Sequence, residues 1–203
     1  MNRIAQIGAV ALTAGCFIAA SSPAWSATGT SVEALIPVLS APQTEADMAP
    51  ASLDLEALGG IEPTSVRYLG ADEVGQYWLG QTNDVDVCLI THVPGGYETS
   101  ASNCMTLSNF NQYGLGIKAG EDLADPSRSV EAYYFPADVA GEFTESGPGT
   151  TARQSTDGTA RAPGDLIAGP TGSLDVAAVD VPRPDGSSFR FRPLTPESQG
   201  WTP

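Results

Sequence analysis

Apolar and polar positions alternate most cleanly over residues 85–91. Val85, Val87 and Leu89 fall on one face there, and Asp86, Cys88 and Ile90 on the other. This is the two-residue period of a β-strand. Strands are also predicted over residues 65–69 and 76–80, where Tyr77, Trp78 and Leu79 suit a pleated surface. A turn is expected at Asn83 and Asp84, and Pro94, Gly95 and Gly96 should reverse the chain. Residues 97–102 then return as a partner strand. A short helix over 106–112 follows, with Thr106 or Ser108 as its cap and Gly114 as its stop. Residues 115–118 and 130–135 supply further strands. Toward the C-terminus, two apolar-rich runs at 174–181 and 187–192 flank an Asp185-Gly186 turn, a hairpin signal. Phe189 and Phe191 share one face of that hairpin, and Arg190 and Arg192 the other.

The aromatic residues sharpen these boundaries, because all six tyrosines lie between Tyr68 and Tyr134, and large aromatics are what a small core is built from. Residues 64–140 are therefore the expected globular core. Residues 27–63 hold six acids, no base and four prolines, and read as an acidic tether with one short helix near 52–58. Gly, Pro, Ser and Thr make up nineteen of the thirty-four residues from 141 to 174. Such a stretch offers little to offset the entropy of ordering, so 141–173 is expected to be a flexible linker or loop. The hairpin at 174–195 should pack back onto the core, and 196–203 should form a tail. The fold class this implies is α+β, mainly β: a small disulfide-pinned antiparallel sheet with one short helix and long disordered flanks.

The first 26 residues point to a compartment. Asn2 and Arg3 precede an uncharged apolar run over 4–20, and in Ala24-Trp25-Ser26 the small residues Ala24 and Ser26 fall at the minus-three and minus-one positions. That order is the one a secretory signal peptide requires, with cleavage after Ser26 or Ala27. Leu12-Thr13-Ala14-Gly15-Cys16 offers a second reading, a lipobox with lipidation at Cys16, although the residues after Cys16 stay apolar where a lipoprotein turns polar. Retention as an uncleaved anchor is a third, since the run sits at the short limit for a membrane span.

Removing 26 of 203 residues leaves 177, enough for one domain. The formal net charge of -15 becomes -16 once Arg3 is lost, and Lys118 is then the sole lysine. A surface this acidic repels phosphate backbones and anionic lipid, so nucleic-acid binding is not expected, and membrane attachment only through an N-terminal anchor. Cys88 and Cys104 remain as an even pair in an oxidising compartment, which predicts a structural disulfide holding the helix to the sheet. Their spacing is not the close one of a redox-active pair.

The order Tyr77-Trp78-Leu79, Cys88-Leu89-Ile90, Gly95-Gly96, Ser102-Asn103-Cys104, Phe110 and Gly114-Leu115 resembles a group of exported or membrane-anchored proteins of actinobacteria, over about residues 67–135. The resemblance implies an extracytoplasmic, disulfide-pinned sheet with a helix, and no particular activity.

Candidate chemistry is sparse. His92 is the only histidine and so the only side chain whose ordinary pKa lies near neutrality. It sits at a strand end without a Gly-x-Ser-x-Gly elbow anywhere in the chain. One histidine and two bridged cysteines cannot close a zinc site. Asp84 and Asp86 lack the oxygen-rich loop of a calcium motif. No catalytic residue, cofactor or metal is assigned. The leading expectation is a non-enzymatic binding module with an envelope or extracellular partner. The alternative is a secreted hydrolase using His92 with a carboxylate such as Asp86 or Glu98. Intact mass, with and without reduction and alkylation, checks the processing. A soluble product starting near Ala27 that gains two alkyl groups only after reduction is expected, whereas a lipid-modified start at Cys16 would replace secretion with surface anchoring.

Overall fold

The computed structural model describes residues 31–82, 86–95, 98–144, 166–174 and 176–194. In chain order the elements are α1 (Val32–Leu35), α2 (Pro37–Ser40), β1 (Arg67–Ala71), β2 (Gln76–Thr82), β3 (Asp86–Val93) and β4 (Thr99–Thr106). They continue with α3 (Leu107–Tyr113), β5 (Leu115–Gly120), β6 (Ser129–Tyr134), α4 (Gly141–Thr144), β7 (Leu166–Pro170), β8 (Val179–Pro182) and β9 (Ser188–Phe191). The chain is mainly β, and every strand pairing is antiparallel.

Strands β1 to β4 form one sheet in sequence order and β5 to β7 a second, while β8 and β9 make a separate two-stranded hairpin. The alternation read along β3 is realised. Val87 and Leu89 join Tyr77 and Leu79 in a core shared with Leu115, Ile117, Val130, Ala132 and Tyr134 of the second sheet. Cys88 and Ile90 face the opposite way, beside Trp78. Helix α3 begins where Thr106 caps it, its hydroxyl accepting from the Asn109 N–H at 3.3 Å, and ends at Gly114 with φ 70°. It contributes Phe110, stacked on Tyr134 at 6.0 Å.

Cys88 and Cys104 are direct partners across β3 and β4 and form the disulfide. The bridge therefore joins strand to strand. The expectation that it would fasten the helix to the sheet is corrected, because β4 runs on past Cys104 to Thr106 before the helix starts.

The segment 27–63 is not a tether over its described part. From Ser31 onward it folds against the first sheet, because both faces of that sheet are apolar and each needs a cover. Leu35 and Ile36, at 3% and 0% exposure, enter the core between the sheets. Leu53, Ile61 and Val66 close over Trp78, Cys88 and Ile90 on the outer face. Gly80 makes this approach possible, since a Cβ there would lie 2.7 Å from Ile61 Cγ2. The helix expected near 52–58 is replaced by consecutive turns, which end at Gly59 and Gly60 with φ 115° and 69°. Buried Arg67 and Asp47 lock this arm. Arg67 donates to the carbonyls of Ala41, Thr64 and Val66. Asp47 accepts from the Thr44 N–H and hydroxyl and from the Tyr68 N–H.

The 141–173 linker is corrected at both ends. Phe143 of α4 is buried at 8% exposure, stacked on Phe135 at 4.0 Å. Strand β7 completes the second sheet by pairing with β6 from Val130↔Pro170 to Tyr134↔Leu166. Residues 145–165 lie outside the described residues, as do the leader with Cys16, the Asn83-Asp84 turn and the tail at 196–203. The C-terminal hairpin forms as the Asp185-Gly186 signal indicates, and packs Phe189 and Phe191 against Tyr133, Phe135 and Ile167 on the outer face of the second sheet.

If residues 31–61 belong to the core, Ile36→Ala should destabilise the protein by about 2–5 kcal/mol, as a large-to-small change at a packed site does. The urea midpoint measures it, and an unchanged midpoint would return this arm to the status of a tether.

Candidate functional site

His92 lies in β3 at 5% exposure, in register between Gln76 of β2 and Ser100 of β4. Its Nδ1 is 2.9 Å from Ser100 Oγ. A histidine beside a serine hydroxyl is the first half of a nucleophile and base arrangement, and the second half is a carboxylate that orients the ring. Asp86 cannot supply it. It shares the face of β3 but lies six residues away, about 20 Å along the strand, opposite Thr82 and Thr106 at the other end of the sheet. Glu98 is exposed in the turn before β4. The structure thus pairs His92 with Ser100 and brings neither named carboxylate into a triad with it.

A larger polar cluster, which the sequence reading missed, lies on the outer face of the second sheet. Lys118 of β5 and Glu131 of β6 are register partners, and Lys118 Nζ is 3.2 Å from Glu131 Oε2. Tyr133 donates its hydroxyl to Glu131 Oε1. Leu194 is held by both: its carbonyl accepts from Lys118 Nζ at 2.6 Å and its N–H donates to the Tyr133 hydroxyl at 2.8 Å. The Gly172 N–H adds a contact to Glu131 Oε2 at 3.3 Å. Gly116 leaves room for the Tyr133 ring, since a Cβ there would sit 2.9 Å from Cδ1. Burial, reinforced by the hydrogen bond to Glu131, pushes the Tyr133 phenol well above its ordinary pKa. The cluster ties β5, β6, the turn after β7 and Leu194 to one another, an arrangement that joins segments. Its sequence signal was the alternation itself, which puts Lys118 and Glu131 on outward positions of neighbouring strands. The register that makes them partners depends on an eight-residue loop the sequence does not dimension.

The two ends of the paired sheets differ. One is closed by helices: the Leu35 carbonyl accepts from Ala137 N–H at 3.0 Å, the Gln43 amide spans Pro63 and Val66, and α3 packs Phe110 inward. At the other end lie the β1–β2 turn, the β3–β4 turn, the loop 121–128 and the turn after β7. Gly75 abuts Val130, where a Cβ would be 2.8 Å from Cγ1, and Thr171 N–H bonds the Ser129 carbonyl at 3.0 Å. These contacts set the β1–β2 turn and the turn after β7 against the start of β6, next to the loop 121–128, and the Gln76↔His92 register puts the β3–β4 connection at the same end. Exposed side chains there include Glu73, Glu98, Asp122 and Leu123, the last at 46% exposure. The loops are shaped by their own acids. Asp125 accepts from the Ser127 hydroxyl and N–H, which holds its carboxyl below the usual range. Asp72 accepts from the Val74 and Gly75 N–H groups and from the Tyr77 hydroxyl at 2.7 Å.

Among the described residues no group of three or more His, Cys, Asp or Glu side chains converges as a metal site. Nor, among them, is any helix long and apolar enough to cross a membrane. Comparison with family models, curated proteins and solved structures returns no match.

The Asp72–Tyr77 lock yields a pH dependence. Burial first, then the hydrogen bond and charge of Asp72, raise the Tyr77 phenol far above its ordinary value near about 10. A raised folded-state pKa gives stability that is present below the unfolded value and lost as pH climbs past it. The melting temperature of the wild type should therefore fall above about pH 10, and that of Tyr77→Phe less steeply. Parallel curves would remove Tyr77 as the group responsible.

Proposed function

We propose that this chain is a non-enzymatic binding module working outside the cytoplasm, and that it meets its partner through the loop-bearing end of the two sheets. The observation that carries the reading is the asymmetry of the ends. Helices α1, α2 and α3 pack into the core at one, whereas four connections lie at the other, on strands braced by the disulfide and two apolar faces. Binding residues concentrate on loops displayed by a rigid scaffold of this kind. The disulfide is consistent with an oxidising, extracytoplasmic environment. Within it, secretion after cleavage near Ala27 is the reading we favour, and anchoring through a lipidated Cys16 is the alternative. The resemblance to exported actinobacterial proteins agrees with either.

Hydrolysis is the second reading, because the 2.9 Å contact between His92 and Ser100 would suit a base and nucleophile. The burial of His92 and the distance of Asp86 count against it. Should an activity be found, its survival in His92→Ala would close this alternative.

The binding reading is tested by photo-crosslinking in envelope extract, with a benzophenone side chain replacing Leu123 at the loop end or Glu45 at the helix end. Discrete adducts from position 123 and none from position 45 are expected. Identical adducts from both positions, or none from either, would overturn the assignment of the loop end.

A further inference from the structure

The hairpin of β8 and β9 with the residues that follow it is attached differently from every other strand. Among the described residues its backbone pairs only within itself, and it belongs to neither sheet. What holds it down is side-chain contact. In the middle, Phe189 and Phe191 meet Phe135 and Phe143 edge-on, at 5.1 to 6.2 Å. At the turn end, Arg183 Nε lies 2.6 Å from Asp138 Oδ2, and the same guanidinium donates to Asp138 Oδ1 and to the Asn111 carbonyl. At the far end, Leu194 is gripped through both of its backbone groups by Lys118 and Tyr133.

We propose that residues 179–194 form a strap that opens and closes as a unit while both sheets stay folded, with the Lys118–Glu131–Tyr133 cluster as its latch. Opening breaks no ladder hydrogen bond of either sheet, and the disulfide lies in the first sheet, away from the strap. The sheets therefore keep their own cohesion when the strap leaves. The latch has the chemistry of a reversible fastening. Burying a lysine and a glutamate costs desolvation, and apolar side chains of similar volume would hold a permanent element at least as firmly. The pair itself lies within the second sheet, and this end of the strap is held where the Lys118 ammonium and the Tyr133 hydroxyl meet the Leu194 backbone, so closure there depends on both of those groups remaining in place. In the open state Tyr133, Phe135 and Phe143 lose their cover. The strap itself loses its structure, because a lone two-stranded hairpin is marginal in water. This inference does not rest on the loop-end reading and would stand if that reading failed.

Native-state hydrogen exchange on the full disulfide-bonded chain tests it. Amides of β8, β9 and Leu194 should exchange through one common opening, faster than those of β2 and β3 and with little dependence on low denaturant. Lys118→Met should accelerate exchange across the strap by about 10-fold or more, the size expected for losing a hydrogen bond from a charged group, and leave β2 and β3 unchanged. If Lys118→Met does not fold, Tyr133→Phe is read in the same way, since it keeps the ring and removes the oxygen that accepts from Leu194. Strap amides that exchange only together with those of β3, or a variant that accelerates β3 by the same factor, would overturn the proposal.

Discussion

Strand β3 is buried along both faces, and most of the architecture follows from covering it. Residues from Val87 to Ile90 have no exposure at all. A two-sheet sandwich normally buries one face of each sheet and leaves the other to water. Here the second sheet covers Val87 and Leu89, and a different layer has to cover Cys88 and Ile90. The chain supplies it from the arm that precedes β1, through Leu53, Ile61 and Val66. Gly80 and the cross-strand disulfide belong to this solution, the first by letting Ile61 approach the strand backbone and the second by tying β4 to the doubly buried strand. The second sheet repeats the pattern, with its outer face taken by the aromatic strap.

This layering explains which elements were legible. Period-two alternation predicted β3, and pleated-surface residues predicted β2, because their side chains face two environments whose difference is local. The Thr106 cap and the Gly114 stop bounded α3 for the same reason, as did the Asp185-Gly186 turn for the hairpin. The arm from 31 to 63 was misread as a tether because its apolar residues are spaced by prolines and short turns. Neither helical nor strand periodicity then reveals that Leu35, Ile36, Leu53 and Ile61 serve two separate cores. Strand β7 was hidden similarly. Leu166, Ile167 and Ala168 are followed by Gly169 and Pro170, a composition that reads as loop, and only the pairing with β6 makes them a strand.

The candidate sites divide along the same line. The Cys88–Cys104 pairing followed from counting, because two cysteines in one processed chain leave a single combination. The role of His92 was accessible only in part. Its position at a strand end could be read, whereas its burial and its bond to Ser100 depend on register across β4. Lys118 and Glu131 escaped altogether, since their meeting depends on register too, and Leu194 joins them from 63 residues beyond Glu131 in a segment with no periodic signal of its own.

The formal charge of -15 takes on a different meaning once the interior is known. Three of the nine cations hold segments together: Arg67 the carbonyls of the N-terminal arm, Arg183 Asp138 and Asn111, and Lys118 Glu131 and Leu194. At the loop end Glu73, Glu98 and Asp122 stand among connections whose own geometry is set by Asp72 and Asp125. Using basic residues as internal fasteners thus helps assemble the layers, while the loop 121–128 carries its own cation, Arg128, paired with Glu121.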